Sequence, residues 1–115
     1  AHTTAADALR AGLPILTCLG GSFAARVAGS LLSAVGIPDL ITRDLREYEV
    51  QALRLASDRA LLARLRATLE MNLNVQPLFN TARYTRHLEA AYRTMHGRSL
   101  QGVAPNDICV PQCGL

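Results

Sequence analysis

Two short apolar runs with a helix between them constrain this chain most tightly. Ile15-Leu16-Thr17-Cys18-Leu19 is bracketed by Leu13-Pro14 and Gly20-Gly21, the punctuation of a brief buried strand. From Ser22 the pattern turns helical, with Phe23, Val27, Leu31 and Val35 on one face at successive turns. Gly36 stops that helix and Pro38 follows. Asp39-Leu40-Ile41-Thr42 then reads as a second short strand. A strand–helix–strand unit closes through a right-handed crossover, so the two strands are predicted to pair in parallel. Parallel sheets are buried on both faces and normally hold more strands than this. The chain therefore reads as the closing portion of an α/β domain, mostly helical in this piece, with about two short parallel strands.

The remaining pattern is helical. Residues 4–11 suggest a short helix before the first strand, ended by Gly12 and Leu13-Pro14. Asp44-Leu45-Arg46-Glu47 has the spacing of a capping box, in which the Asp accepts from the backbone and the Glu reaches back. The helix it opens is predicted to turn Leu45, Tyr48, Ala52 and Leu55 inward. Ser57-Asp58 caps another, with Leu61, Leu62, Leu65 and Leu69 on its apolar stripe. After Pro77 a last helix from about Thr81 places Tyr84, Leu88, Tyr92 and Met95 on one face. Periodicity is lost after Gly97, which divides the chain into residues 1–96 and an extended tail, 97–115. No internal repeat or low-complexity segment is evident.

Composition narrows the function classes. The chain has 115 residues, 50% of them hydrophobic and 18% charged, which suits one folded domain. All 12 basic residues are Arg, so no lysine is present to balance a phosphate or form a Schiff base. Together with the wealth of Ala and Leu, this suggests a GC-rich bacterial genome. The net charge is +3, but acids lie between the arginines, as on solvated helix faces, and nucleic-acid binding is not expected. No apolar run approaches the roughly 20 residues of a membrane span, and no basic stretch leads into an apolar one as in a signal peptide. Three cysteines, Cys18, Cys109 and Cys113, make an odd set that fits a reducing cytoplasm. Cys109 and Cys113 have no second pair or nearby His, so no metal site is expected there.

The chemistry-bearing candidate is the opening His2-Thr3-Thr4-Ala5-Ala6-Asp7. Thr4 to Asp7 approximates a capping box with Asp in place of Glu, and an ordinary helix cap accounts for both residues. The same turn can also receive an anion. A helix N-terminus offers free N–H groups and partial positive charge, to which Thr3 and Thr4 add hydroxyls and His2 a ring N–H. Asp7 shares a face with Thr3 and suits paired ribose hydroxyls as an acceptor. Elsewhere the signals are weaker. Ser22 lacks the setting of a hydrolase elbow, and Gly20-Gly21 lacks dinucleotide-loop spacing. His87 and His96 read as surface or boundary residues, and Arg26 as a helix-surface or salt-bridging group.

These motifs, in order, resemble glycosyltransferase family 41, the O-GlcNAc transferase and SPINDLY-like family. The match comprises His2-Thr3-Thr4, Asp7, Gly12-Leu13-Pro14, Gly20 and Ala25-Arg26-Val27. It continues through Glu47-Tyr48-Glu49, Pro77-Leu78-Phe79-Asn80-Thr81 and the helix bearing Tyr84, His87, Leu88, Glu89 and Tyr92, running from Ala1 to about Met95. The resemblance implies part of the C-terminal, Rossmann-like lobe of a GT-B enzyme that moves GlcNAc from UDP-GlcNAc to protein Ser or Thr with inversion and without a metal. It further implies His2, Thr3 and Thr4 as ligands of the donor diphosphate and Asp7 as a ribose ligand, with no catalytic residue in this chain. Arg10 stands where the family commonly has Trp, and the family's diphosphate-binding lysines are absent. Such a piece of a larger, tetratricopeptide-bearing transferase is expected to be inactive alone and to self-associate as a dimer. The rival reading is a self-standing helical interaction module, in which HTTAAD is only a cap and Arg10, Arg83, Arg86 and Arg93 meet an acidic partner.

Overall fold

The computed structural model describes residues 2–111, so Ala1 and Cys113 lie outside the described residues. The chain forms two compact units, divided after Phe79. The first contains α1 (Thr3–Arg10), β1 (Thr17–Cys18), α2 (Phe23–Ala34), a 3₁₀ turn (Pro38–Leu40), β2 (Ile41–Thr42), α3 (Leu45–Ser57), α4 (Arg59–Val75) and a second 3₁₀ turn (Pro77–Phe79). The second contains α5 (Thr81–Leu100) and the segment that follows it.

β1 and β2 pair in parallel, with Thr17 opposite Ile41 and Cys18 opposite Thr42, as the strand–helix–strand pattern requires. The buried Thr42 hydroxyl donates to the Thr17 carbonyl at 3.0 Å, and the Leu19 N–H donates to the Thr42 carbonyl at 2.8 Å. Both strands are shorter than the apolar runs suggested. Pro38 has no N–H for a ladder and opens a 3₁₀ turn instead, so β2 begins only at Ile41 and β1 has no longer partner. Each strand leaves one side of its backbone unpaired within this sheet.

The core of the first unit gathers Leu9 from α1, Leu32 from α2, Leu65 and Leu69 from α4, and Val35, Ile37 and Leu40 from the turn after α2. Burying each such side chain contributes about 1.5–3 kcal/mol. Two glycines mark close approaches. The end of the Leu19 side chain folds over Gly29, and a Cβ there would oblige it to shift. Gly36 has a φ of +76°, and a Cβ there would meet Asn72 Nδ2 at 2.9 Å. That amide donates to the carbonyls of Val35 and Gly36 at 2.9 and 3.3 Å, capping the end of α2 from α4.

The apolar periodicity overstated burial in several places. Phe23, the first residue past the Ser22 cap, is 74% exposed, and Leu45, the first residue of α3, is 77% exposed. Tyr48 is also exposed, leaving Ala52 and Leu55 as the half-buried members of the expected α3 face. In the second unit Tyr84, Leu88, Tyr92 and Met95 share a face of α5 and are all exposed. α5 also continues through Gly97 to Leu100. A helical glycine costs only about 1 kcal/mol, and the chain turns at Gly102, where φ is +67°. The Val103 N–H then closes onto the Arg98 carbonyl at 3.0 Å.

Candidate functional site

The candidates from HTTAAD lie just before α1 and on its first two turns. His2 is the residue before the helix, Thr3 and Thr4 are its first two residues, and Asp7 follows one turn later; all four side chains are exposed. The opposite face is anchored by Ala5 and Leu9, 2% and 0% exposed. This alternation makes the helix a pinned rod with one outward polar face.

The capping reading of this stretch does not hold. Thr4 lies inside the helix rather than at its cap, and the His2 side chain makes no capping hydrogen bond. Ala6 N–H donates to the His2 carbonyl at 3.2 Å, which leaves the N–H groups of Thr3, Thr4 and Ala5 without an intrahelical acceptor. No acidic side chain lies in the first turn to offset its partial positive charge. The arrangement therefore offers backbone donors, two hydroxyls and an imidazole to an incoming anion, with a carboxylate one turn beyond.

The expected capping box at α3 does form. Asp44 accepts from the Glu47 N–H at 2.8 Å, and Glu47 reaches back to the N–H of Arg43 at 2.7 Å. Ser22, Asp58 and Asn80 cap α2, α4 and α5 in the same way, each accepting from the third helical residue.

Other candidates are separate from this turn. Arg26 is exposed and lines a shallow hollow of about 580 Å³ with Leu19, Gly29, Ser30 and Ser33. Of the arginines assigned to an acidic partner, Arg10 lies over the Phe79 ring and Arg93 pairs with Glu89 at 3.0 Å. His96 is exposed, whereas His87 is half-buried and its Nε2 is buried without a hydrogen-bond partner. A larger hollow of about 650 Å³, which no motif marked, lies among β2, α3 and α4. Its lining mixes Asp39 and Glu47 with Arg54 and Arg64, but contains no Ser, Cys or His nucleophile or base. The lining comes from four elements, the first 3₁₀ turn, β2, α3 and α4, so no local pattern could have collected it. Among the described residues no group of three or more His, Cys, Asp and Glu is placed to hold a metal ion, and no helix is long and apolar enough to cross a membrane.

Residues 1–88 match the family model described as glycosyl transferase family 41. The chain is 38% identical over 104 residues to a probable UDP-N-acetylglucosamine–peptide N-acetylglucosaminyltransferase SPINDLY of Solanum lycopersicum, covering 90% of this chain and 11% of that protein. It is 36% identical over 102 residues to the UDP-N-acetylglucosamine–peptide N-acetylglucosaminyltransferase of Caenorhabditis elegans, covering 9% of it. The fold matches part of a solved mutant O-GlcNAc transferase of Thermobaculum terrenum. The TM-score is 0.78 at 36% identity, over 90% of this chain and 20% of that one. The chain thus spans about a tenth of the length of these sequence relatives.

Proposed function

Because the chain belongs to glycosyl transferase family 41, we propose that α1 is the donor-binding turn of a protein O-GlcNAc transferase. In this reading the free N–H groups and hydroxyls of Thr3 and Thr4, with the His2 ring N–H, donate to the diphosphate oxygens of UDP-GlcNAc. Asp7 accepts from the ribose hydroxyls. The observation that carries the reading is the first turn of α1, exposed and without a side-chain cap, at the family's HTT motif.

The transfer inverts the anomeric carbon. A Ser or Thr hydroxyl oxygen of the acceptor protein attacks that carbon, the bond to the diphosphate oxygen breaks, and the electron pair leaves with UDP. The acceptor's proton goes to a base that this chain does not supply. What these residues contribute is stabilisation of the departing diphosphate, through donors already aligned before the charge develops. This chain, which has no lysine, contributes helix N–H groups and hydroxyls to that task.

The test is to titrate UDP into the full chain while following backbone amides by nuclear magnetic resonance. Saturable shifts are expected at Thr3, Thr4 and Ala5, reduced roughly tenfold in affinity by Thr3→Ala, the scale of losing one hydrogen bond to a charged group. No sugar transfer from UDP-GlcNAc to a Ser/Thr peptide is expected from this chain alone. Shifts distributed elsewhere, or measurable transfer, would each overturn part of this reading.

A further inference from the structure

α1 is held to the first unit by its buried residues Ala5 and Leu9, and Arg10 adds a contact of another kind. In its last turn, the Arg10 guanidinium carbon lies 5.5 Å from the centroid of the Phe79 ring. That is within the roughly 6 Å at which an aromatic face attracts a cation. Phe79 ends the second 3₁₀ turn and packs half-buried against the hydrophobic core, so the ring is a fixed platform. Arg10 forms no ion pair, since the one found among the described residues joins Arg93 and Glu89. Its positive charge also lies at the helix C-terminus, where the backbone dipole favours it. A hollow of about 310 Å³ lined by Arg10, Leu73, Asn74 and Phe79 leaves room there for a larger flat side chain.

We propose that Arg10 is a positioning residue for the donor turn, acting through its stack on Phe79. The inference rests on the reading of α1 given above. A helix of 8 residues is about 12 Å long and moves as a unit, so a tilt at its last turn displaces the donors of its first. Ala5 and Leu9 lie one turn apart on a single face and resist separation better than rocking. The Arg10–Phe79 contact supplies a third point of attachment, at the end remote from the ligand. Displacements of about 1 Å in a binding constellation are enough to weaken it.

Hydrogen exchange and UDP titration of the full chain test this with Arg10→Ala and Arg10→Trp. The amides of Ala11 and Leu13, which close the end of α1 on the carbonyls of Asp7 and Ala8 at 3.0 and 2.9 Å, report the attachment. In Arg10→Ala they should exchange about two- to fivefold faster, and UDP should bind weaker by a similar factor, the scale of an exposed cation–aromatic contact. The amide of Leu69 should not change, which separates rocking of α1 from unfolding. Arg10→Trp should restore both readouts, because an indole stacks on Phe79 without carrying a charge. Unchanged exchange in Arg10→Ala overturns the proposal whatever UDP does. Failure of the Trp variant to restore exchange while Leu69 stays protected overturns the role of the stack. Faster exchange in a chain whose wild type shows no UDP shifts supports the attachment and overturns the donor reading instead.

Discussion

At the start of α3, Asp44 and Glu47 occupy two backbone donors, while among the described residues no side chain occupies a donor at the start of α1. Both segments carry polar residues at helix-initiating positions, and HTTAAD looks no less suited to capping than TRDLRE. The difference lies in register. Asp44 sits outside its helix with an extended backbone, which points its carboxylate at the Glu47 N–H. Thr3 and Thr4 are already inside theirs, so their hydroxyls face solvent. One polar cluster closes a helix end and the other leaves an end open. An open end costs stability unless something binds there, and that is the physical content of the donor-turn reading.

The comparison can be broken in three ways. Leu9→Ala has the largest expected effect, a loss of about 2–5 kcal/mol in denaturant unfolding, because a fully buried side chain of the core is truncated. A loss below about 1 kcal/mol would mean that α1 is not pinned and that its open end reflects fraying. Asp44→Ala should cost about 0.5–2 kcal/mol, the usual value of a helix cap. Thr4→Ala should change stability by less than about 0.5 kcal/mol, as expected of an exposed side chain without a structural bond. If Thr4→Ala proves as damaging as Asp44→Ala, the hydroxyl is a cap after all and the contrast between the two helix starts fails.

The parallel pairing, the α3 capping box and the buried pair Leu65 and Leu69 could all be read from the sequence. Each depends on local spacing, and local spacing decides which way a side chain points along a helix or strand. The exposed faces of α3 and α5 could not be read in the same way. Periodicity at Leu45 and Tyr48, or at Tyr84, Leu88, Tyr92 and Met95, shows that a face is apolar but not what meets it. The strand lengths are not legible in one segment because pairing is a property of two, and Pro38 shortens the partner. HTTAAD was ambiguous for a related reason: capping and anion binding use the same residue types and differ by one position of register. The order of the family's motifs points to the second reading, and the position of Thr4 inside the helix removes it as a cap. The Arg10–Phe79 contact spans most of the first unit in sequence, and no local signal announces it.

The bond from Asn72 to the carbonyls of Val35 and Gly36 has a consequence for how the chain acquires its shape. The turn after α2 satisfies the carbonyls of Leu31, Leu32 and Ser33 locally, through the N–H groups of Val35, Ile37 and Gly36, but the carbonyls of Val35 and Gly36 are met by a group on a helix formed much later in the chain. While a nascent chain lacks α4, the end of α2 has only water for those carbonyls. The boundary of α2 is thus written partly in its own turn and partly elsewhere in the sequence, and transplanting α2 with its local stop signal alone would carry only the first part along.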